Sequence, residues 1–168
     1  MINQLLRYTI IYIVLLLLQV FVFNNIQFSG YVNPYIYILF VLLLPYEISG
    51  WLLLIISFFA GFFIDIFMGT AGMHAGATVA AGFARPYILR AISPRDGYVA
   101  DRELSMVAYG FNWFFFYALL VVAVHHLVLF YLEIFSFEGF FRTFLKVIFS
   151  TVFTVIFIIF AEYIRKGR

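Results

Sequence analysis

The sequence predicts an all-α integral membrane protein, a bundle of about six transmembrane helices with both termini cytoplasmic. Three observations carry that prediction. The 168 residues are 66% hydrophobic and 11% charged, with a mean hydropathy of +1.09, whereas soluble domains hold about 25% charged residues. The apolar runs approach the roughly 20 helical residues that cross a hydrocarbon core of about 30 Å. The lysines and arginines gather on alternate connections, as they do in chains that cross a membrane repeatedly. A single polytopic domain, residues 1–168, accounts for the length.

The first run, 5–23, is interrupted only by Arg7 near its start and Gln19 near its end. Its charged start resembles a signal sequence, but 21–26 reads Phe-Val-Phe-Asn-Asn-Ile and offers no small-residue cleavage site, so a retained helix is predicted. Asn, Ser and Gly at 24–33 predict a turn. The second run, 31–46, lies between Pro34, suited to a helix's first turn, and Pro45. Wholly helical it reaches only about 24 Å, which makes it the weakest span, tilted or partly re-entrant. The third and fourth runs, 51–68 and 73–92, are joined by a tight turn of Gly69, Thr70, Ala71 and Gly72. The fifth covers 104–127, with an extension to about 135, and the sixth covers 144–164. Outer-membrane strands, about ten residues of alternating polarity, do not fit these uniformly apolar runs.

Charge placement chooses between six spans and five. Six put Arg7, the loop with Arg90, Arg95 and Arg102, and the tail with Arg165, Lys166 and Arg168 on one side. Only Arg142 and Lys146 fall opposite. Five spans would separate the two basic ends, so six are favoured.

Within this apolar chain a few polar residues stand out. Asp65 falls near the outer end of the third helix and His74 at the outer start of the fourth. A charge at the bilayer centre costs about 2.5–3.5 kcal/mol and less near an interface, so Asp65 needs a partner. The structural reading has it accept hydrogen bonds from the free amides of 70–73, with His74 donating across the turn. A proton relay, ligand contact or partner contact is the functional reading, and one pair at one helix end makes no path across a membrane. In the fourth helix Gly72 and Gly76, Ala77 and Ala81, Thr78 and Gly82, and Ala80 and Ala84 recur at four-residue spacing. Small residues at that spacing let helix backbones approach in lipid, which marks this helix as the central packing element. Pro86 removes a backbone hydrogen bond and crowds the Gly82 carbonyl, predicting a kink. Arg85 either snorkels to the interface or bonds the carbonyls so freed.

The polar segment at 93–103 offers Asp101 as a cap for the fifth helix, Glu103 for its first turn, and Arg90, Arg95 and Arg102 for anionic headgroups or a cytoplasmic partner. His125 and His126 are adjacent, so on a helix they point about 100° apart and do not chelate one ion from one face; they are placed near the outer interface. Glu162 and Lys166 form an i,i+4 pair. The sequence holds no cysteine, and nothing resembles a nucleophile with its base, a metal cage or a phosphate loop. No catalytic, cofactor-binding or metal residue is assigned, and the net charge of +2 gives no footing for nucleic acid.

GFFIDIFMGTAGMHA at 61–75, Arg85-Pro86 and SPRDG at 93–97, with QVFVFNNIQ at 19–27 and YVNPY at 31–35, resemble the rod shape-determining MreD family over nearly the whole chain. The resemblance implies a bacterial cytoplasmic-membrane protein of the cell-elongation machinery without catalytic activity of its own. It implies MreC as direct partner and, through it, MreB filaments, the RodA glycosyltransferase and a penicillin-binding transpeptidase. It also implies the fold of the substrate-binding subunits of energy-coupling-factor vitamin transporters, so such a subunit is the alternative. The first helix lacks the alanine and glycine that docking in such a transporter uses. Asp65, Gly72, His74, Gly76, Arg85 and Pro86 enter as candidate structural or interaction residues.

Overall fold

In lipid every backbone polar group has to be satisfied within the protein, and a helix does so inside one segment. The computed structural model describes residues 2–25, 32–100, 102–135 and 139–166; these are largely helical, with no β-strand among them. In chain order they form α1 (Ile2–Phe21), a 3-10 turn (Phe23–Asn25), a second 3-10 turn (Ile36–Ile38) running into α2 (Leu39–Leu43), α3 (Gly50–Met68), α4 (Met73–Ala91), α5 (Met106–Tyr109), α6 (Phe111–Ile134) and α7 (Phe140–Lys166). Among the described residues, the helices at α1, α3, α6 and α7 are long and apolar enough to cross a membrane. They leave Leu6 and Leu17, Trp51 and Phe59, Phe116 and Leu127, and Ile156 and Phe160 exposed. A soluble protein rarely exposes more than a few hundred Å² of contiguous apolar surface. A surface of this kind is the lipid-facing surface of a membrane protein.

Helices α3 and α4 pack as a close antiparallel pair. Gly69 ends α3 in the left-handed region, at φ 65°, and its amide returns to the Asp65 carbonyl; a side chain there would be strained. The close approach lies at Gly61 and Gly82. A Cβ on Gly61 would stand 2.6 Å from Ala75 Cα and press on the His74 carbonyl, while one on Gly82 would strike Ser57. Of the predicted small-residue pairs, Ala77 with Ala81 and Thr78 with Gly82 are buried, and Gly82 makes this contact. Gly72 and Gly76 are exposed, and a Cβ on Gly76 would touch only Leu132, at 3.4 Å. The helix runs unbroken across Pro86.

The helix predicted over 31–46 differs most from expectation. Its helical part is the Ile36–Ile38 turn and the five residues of α2, about 14 Å of rise. Residues 35–44 are nonetheless buried throughout. Arg7, early in α1, bonds Glu103 in the loop between α4 and α5, so α1 starts at the end where α3 starts, and the buried segment 35–44 carries the chain back through the bundle. Enclosed on all sides, this crossing has neighbours that satisfy its backbone, so a full helix is not required. At its entry Asn33 N–H donates to Ser150 Oγ (3.0 Å), Tyr35 N–H to Thr154 Oγ1 (3.1 Å), and Gln19 Nε2 to the Pro34 carbonyl (3.1 Å). At its exit the Leu42 carbonyl accepts from Tyr117 (3.1 Å) and those of Leu44 and Pro45 accept from Arg85.

The predicted fifth helix also starts later. Ser105 caps α5, accepting from Ala108 N–H (3.2 Å), and Gly110, at φ 87°, separates α5 from α6. Asp101, the predicted cap, lies outside the described residues. Glu103 is not in a helical first turn; it bridges Arg7 (2.7 Å) and Arg165 (2.6 Å).

Candidate functional site

The polar residues that the apolar chain carries inward collect in three places between α1, α3, α4, α6, α7 and the buried crossing. Each place begins with a backbone that lacks partners and a side chain from another element that supplies them.

The first is the start of α4. Its cap residue, Gly72, has no side chain, so the second and third amides of the helix need an acceptor from elsewhere. Asp65, one helix away and buried, supplies it: Oδ1 accepts from His74 N–H (3.0 Å) and Oδ2 from Ala75 N–H (2.9 Å). The amides bonded thus lie one and two residues beyond the predicted 70–73. Thr70 Oγ1 donates to Oδ1 at 2.5 Å, and His74 Nδ1 lies 3.1 Å from both Oδ1 and Thr70 Oγ1. With the Thr70 hydroxyl already donating, the His74 proton sits on Nδ1. Its Nε2 is then bare, buried and, among the described residues, without a hydrogen-bond partner.

The second is a cluster that sequence reasoning missed. The chain's three histidines meet around Tyr35 and Tyr37. Ring centroids of His74, His125 and His126 lie 5.2, 6.1 and 5.6 Å from Tyr35, and His125 lies 5.4 Å from Tyr37. His125 and His126 are fully buried within α6, which runs on to Ile134; a helix ending near 127 would have put them near the outer interface. Thr78 Oγ1 donates to the His74 carbonyl (2.7 Å), which leaves it to accept from Tyr37 OH (2.9 Å). Tyr37 OH in turn accepts from His125 Nε2 (2.7 Å), so His125 Nδ1 is a second imidazole nitrogen without a partner among the described residues. His126 Nδ1 donates to the Val122 carbonyl (2.8 Å), and its Nε2 accepts from Thr154 (3.2 Å), whose oxygen takes the Tyr35 amide. Two strings of hydrogen bonds thereby form, one tying α6 to the buried crossing and α4 through Tyr37 and Thr78, the other tying the crossing to α7 and α6 through Thr154 and His126. From Asp65 the side-chain relay stops at His74 Nε2. Among the described residues no three His, Cys, Asp or Glu groups are arranged to hold a metal ion.

The third is Arg85, 1% exposed. It does not snorkel. Nε donates to Tyr117 OH (2.7 Å) and one terminal nitrogen to the carbonyls of Leu44 and Pro45, the latter at 3.2 Å. No carboxylate lies within ion-pair distance among the described residues; the carbonyl end of α2 stands in, where the helix dipole is negative. Pro86, beside it, is half-buried.

Two further sites frame these three. Glu162, fully buried, accepts the Met106 amide (3.1 Å) and pairs with Arg165 at 2.6 Å, in place of the predicted Lys166, whose side chain lies outside the described residues. At the other end of the bundle, a small cavity of about 120 Å³ is bordered by Gln19, Asn24, Asn33, Tyr35 and Glu133. The signal for the missed residues was faint but present: Gln19, Tyr37, Thr78, Tyr117, Ser150 and Thr154 are isolated polar groups in apolar runs, and in lipid such groups need partners.

No protein-family model, curated protein or solved structure matches this chain.

Proposed function

We propose that the chain is a non-catalytic membrane scaffold of the bacterial cell-elongation complex, with six crossings, both termini in the cytoplasm, and MreC as its direct partner. Through MreC it would hold MreB, RodA and a penicillin-binding transpeptidase together in the cytoplasmic membrane. One observation carries the scaffold reading: Asp65, Arg85 and Glu162 each bond the backbone of a different segment. Charges used that way fix the relative position of elements, which is what a frame gripped by other proteins requires. The even number of crossings is supported by the meeting of Arg7 and Arg165, near opposite ends of the chain, on Glu103. The identity of the partners rests on the sequence resemblance.

A substrate-binding subunit of a vitamin transporter is the second reading, favoured by the cavity beside Asn33, whose side-chain oxygen is buried without a partner among the described residues. At about 120 Å³ it is below the roughly 300–1,000 Å³ of ordinary small-molecule pockets. Affinity capture from bacterial membranes separates the two. Recovery of MreC and cell-wall synthases, with rounded cells on depletion, is the expected result. Recovery of paired ATPases with tight vitamin binding would replace the scaffold by the transporter subunit.

A further inference from the structure

Two adjoining hollows share Arg7 and Arg165 at the end of the bundle where α1 starts and α7 finishes. One, of about 280 Å³, is bordered by Arg7, Arg102, Glu103, Ser105 and Arg165. The other, of about 490 Å³, runs along α1 past Leu6, Ile10 and Ile11. Polar lining thus gives way to apolar lining across two guanidinium groups. We infer that this seam binds an anionic phospholipid, its phosphate on Arg7, Arg102 and Arg165 and the upper part of an acyl chain against Leu6, Ile10 and Ile11.

Charge supports an anion. Among the described residues three arginines face one carboxylate, Glu103, in the polar hollow, and the buried Glu162 beside Arg165 still leaves these groups net positive. Arg7 is 59% exposed and, among the described residues, gives Glu103 a single hydrogen bond, which leaves most of its donors for a headgroup. Ser105, on the lining of the same hollow, uses its oxygen to cap α5. Glu103 holds Arg7 and Arg165 on either side of the seam, which sets their spacing before any lipid arrives. Shape supports a lipid over a free ion. From Leu6 to Ile11 the helix rises about 7.5 Å, a depth inorganic phosphate has no use for and an acyl chain fills. Basic pockets between membrane helices at a cytoplasmic surface suit such headgroups. The inference is independent of the scaffold reading, since it needs only a membrane.

The test uses the full chain, purified in detergent and stripped of lipid, titrated with phosphatidylglycerol, phosphatidylcholine and inorganic phosphate, with retained lipid counted by native mass spectrometry. Phosphatidylglycerol is expected to bind and to survive detergent exchange, and the other two to bind far more weakly. Each arginine at an anionic surface is worth roughly fivefold in affinity, so Arg7→Gln with Arg102→Gln should weaken phosphatidylglycerol roughly thirtyfold. Ile10→Trp, which fills the apolar hollow, should weaken it without a change of charge. Arg90→Gln, an exposed arginine outside the seam, should change nothing. Equal binding of phosphatidylcholine, or of inorganic phosphate, would overturn the assignment. So would an Arg90→Gln effect as large as that of the double variant, or wild-type binding by the double variant.

Discussion

Replacing Asp65 with alanine removes the acceptor of four hydrogen bonds at once, from Thr70, Ala75, and the amide and imidazole of His74. Two of the donors are backbone N–H groups in the first turn of α4. The cap residue, Gly72, has no side chain to replace the lost acceptor, and the site is buried. A buried donor left without a partner costs about 1–3 kcal/mol, so two cost about 2–6. Loss of the imidazole and hydroxyl bonds adds to this, and partial relaxation subtracts, giving about 3–5 kcal/mol for Asp65→Ala. Asp65→Asn keeps one acceptor oxygen and turns an NH₂ toward one of the two amides, so it should cost about half as much. Thr70→Ala, which deletes one donor and orphans nothing on the backbone, should cost about 1 kcal/mol. Reversible unfolding in mixed micelles, followed by circular dichroism, reads all three. The order Ala, Asn, Thr70→Ala tests the geometry. If Asp65→Asn were as damaging as Asp65→Ala, the charge and not the capping bonds would be the cause. If Asp65→Ala unfolded like the wild type, the account of this turn would be wrong.

The remaining predictions use the same unfolding measurement unless stated. Gly61→Ala places a Cβ against the backbone of His74 and Ala75 and should cost about 1–3 kcal/mol, whereas Gly76→Ala should stay within about 0.5 kcal/mol; equal effects would refute the position given for the close contact. Arg85→Met leaves the Leu44 and Pro45 carbonyls without their donor in a dry interior and should cost about 3 kcal/mol, against about 1 for Tyr117→Phe; a silent Arg85→Met would show that water or another group serves those carbonyls. Because the chain has no cysteine, single cysteines at exposed positions report sidedness directly. Gln4→Cys and Ser93→Cys should react with an impermeant maleimide only from the cytoplasmic face and Phe135→Cys only from the opposite one, and a split between the first two would break the even count of crossings.

What the sequence disclosed follows from what periodicity and capping encode. The limits of α3 and α4 fall within a residue of expectation because Gly69 and Gly72 stop and start them locally. The pairing of Asp65 with His74 was legible for the same reason, being only nine residues apart across a turn. The second run was legible only as the weakest span, tilted or partly re-entrant, and nothing local says that it will be enclosed. The groups that make an incomplete helix tolerable there sit at Gln19, Arg85, Tyr117, Ser150 and Thr154, far off in sequence. The histidine cluster escaped for a related reason. His74 and the pair at 125–126 are some fifty residues apart, and only the packing of α4 on α6 brings them to Tyr35 and Tyr37. Gly76 was misjudged because a four-residue spacing identifies a stripe without saying which way it faces.

The enclosed crossing has a bearing on how the chain is made. Its amides at Asn33 and Tyr35 wait for hydroxyls on Ser150 and Thr154, which the ribosome delivers more than a hundred residues later. Until then this stretch has no finished seat among its neighbours, so the centre of the molecule is the last part to settle. A polypeptide cut short before residue 150 should therefore reach the bilayer and yet remain a substrate for membrane proteases.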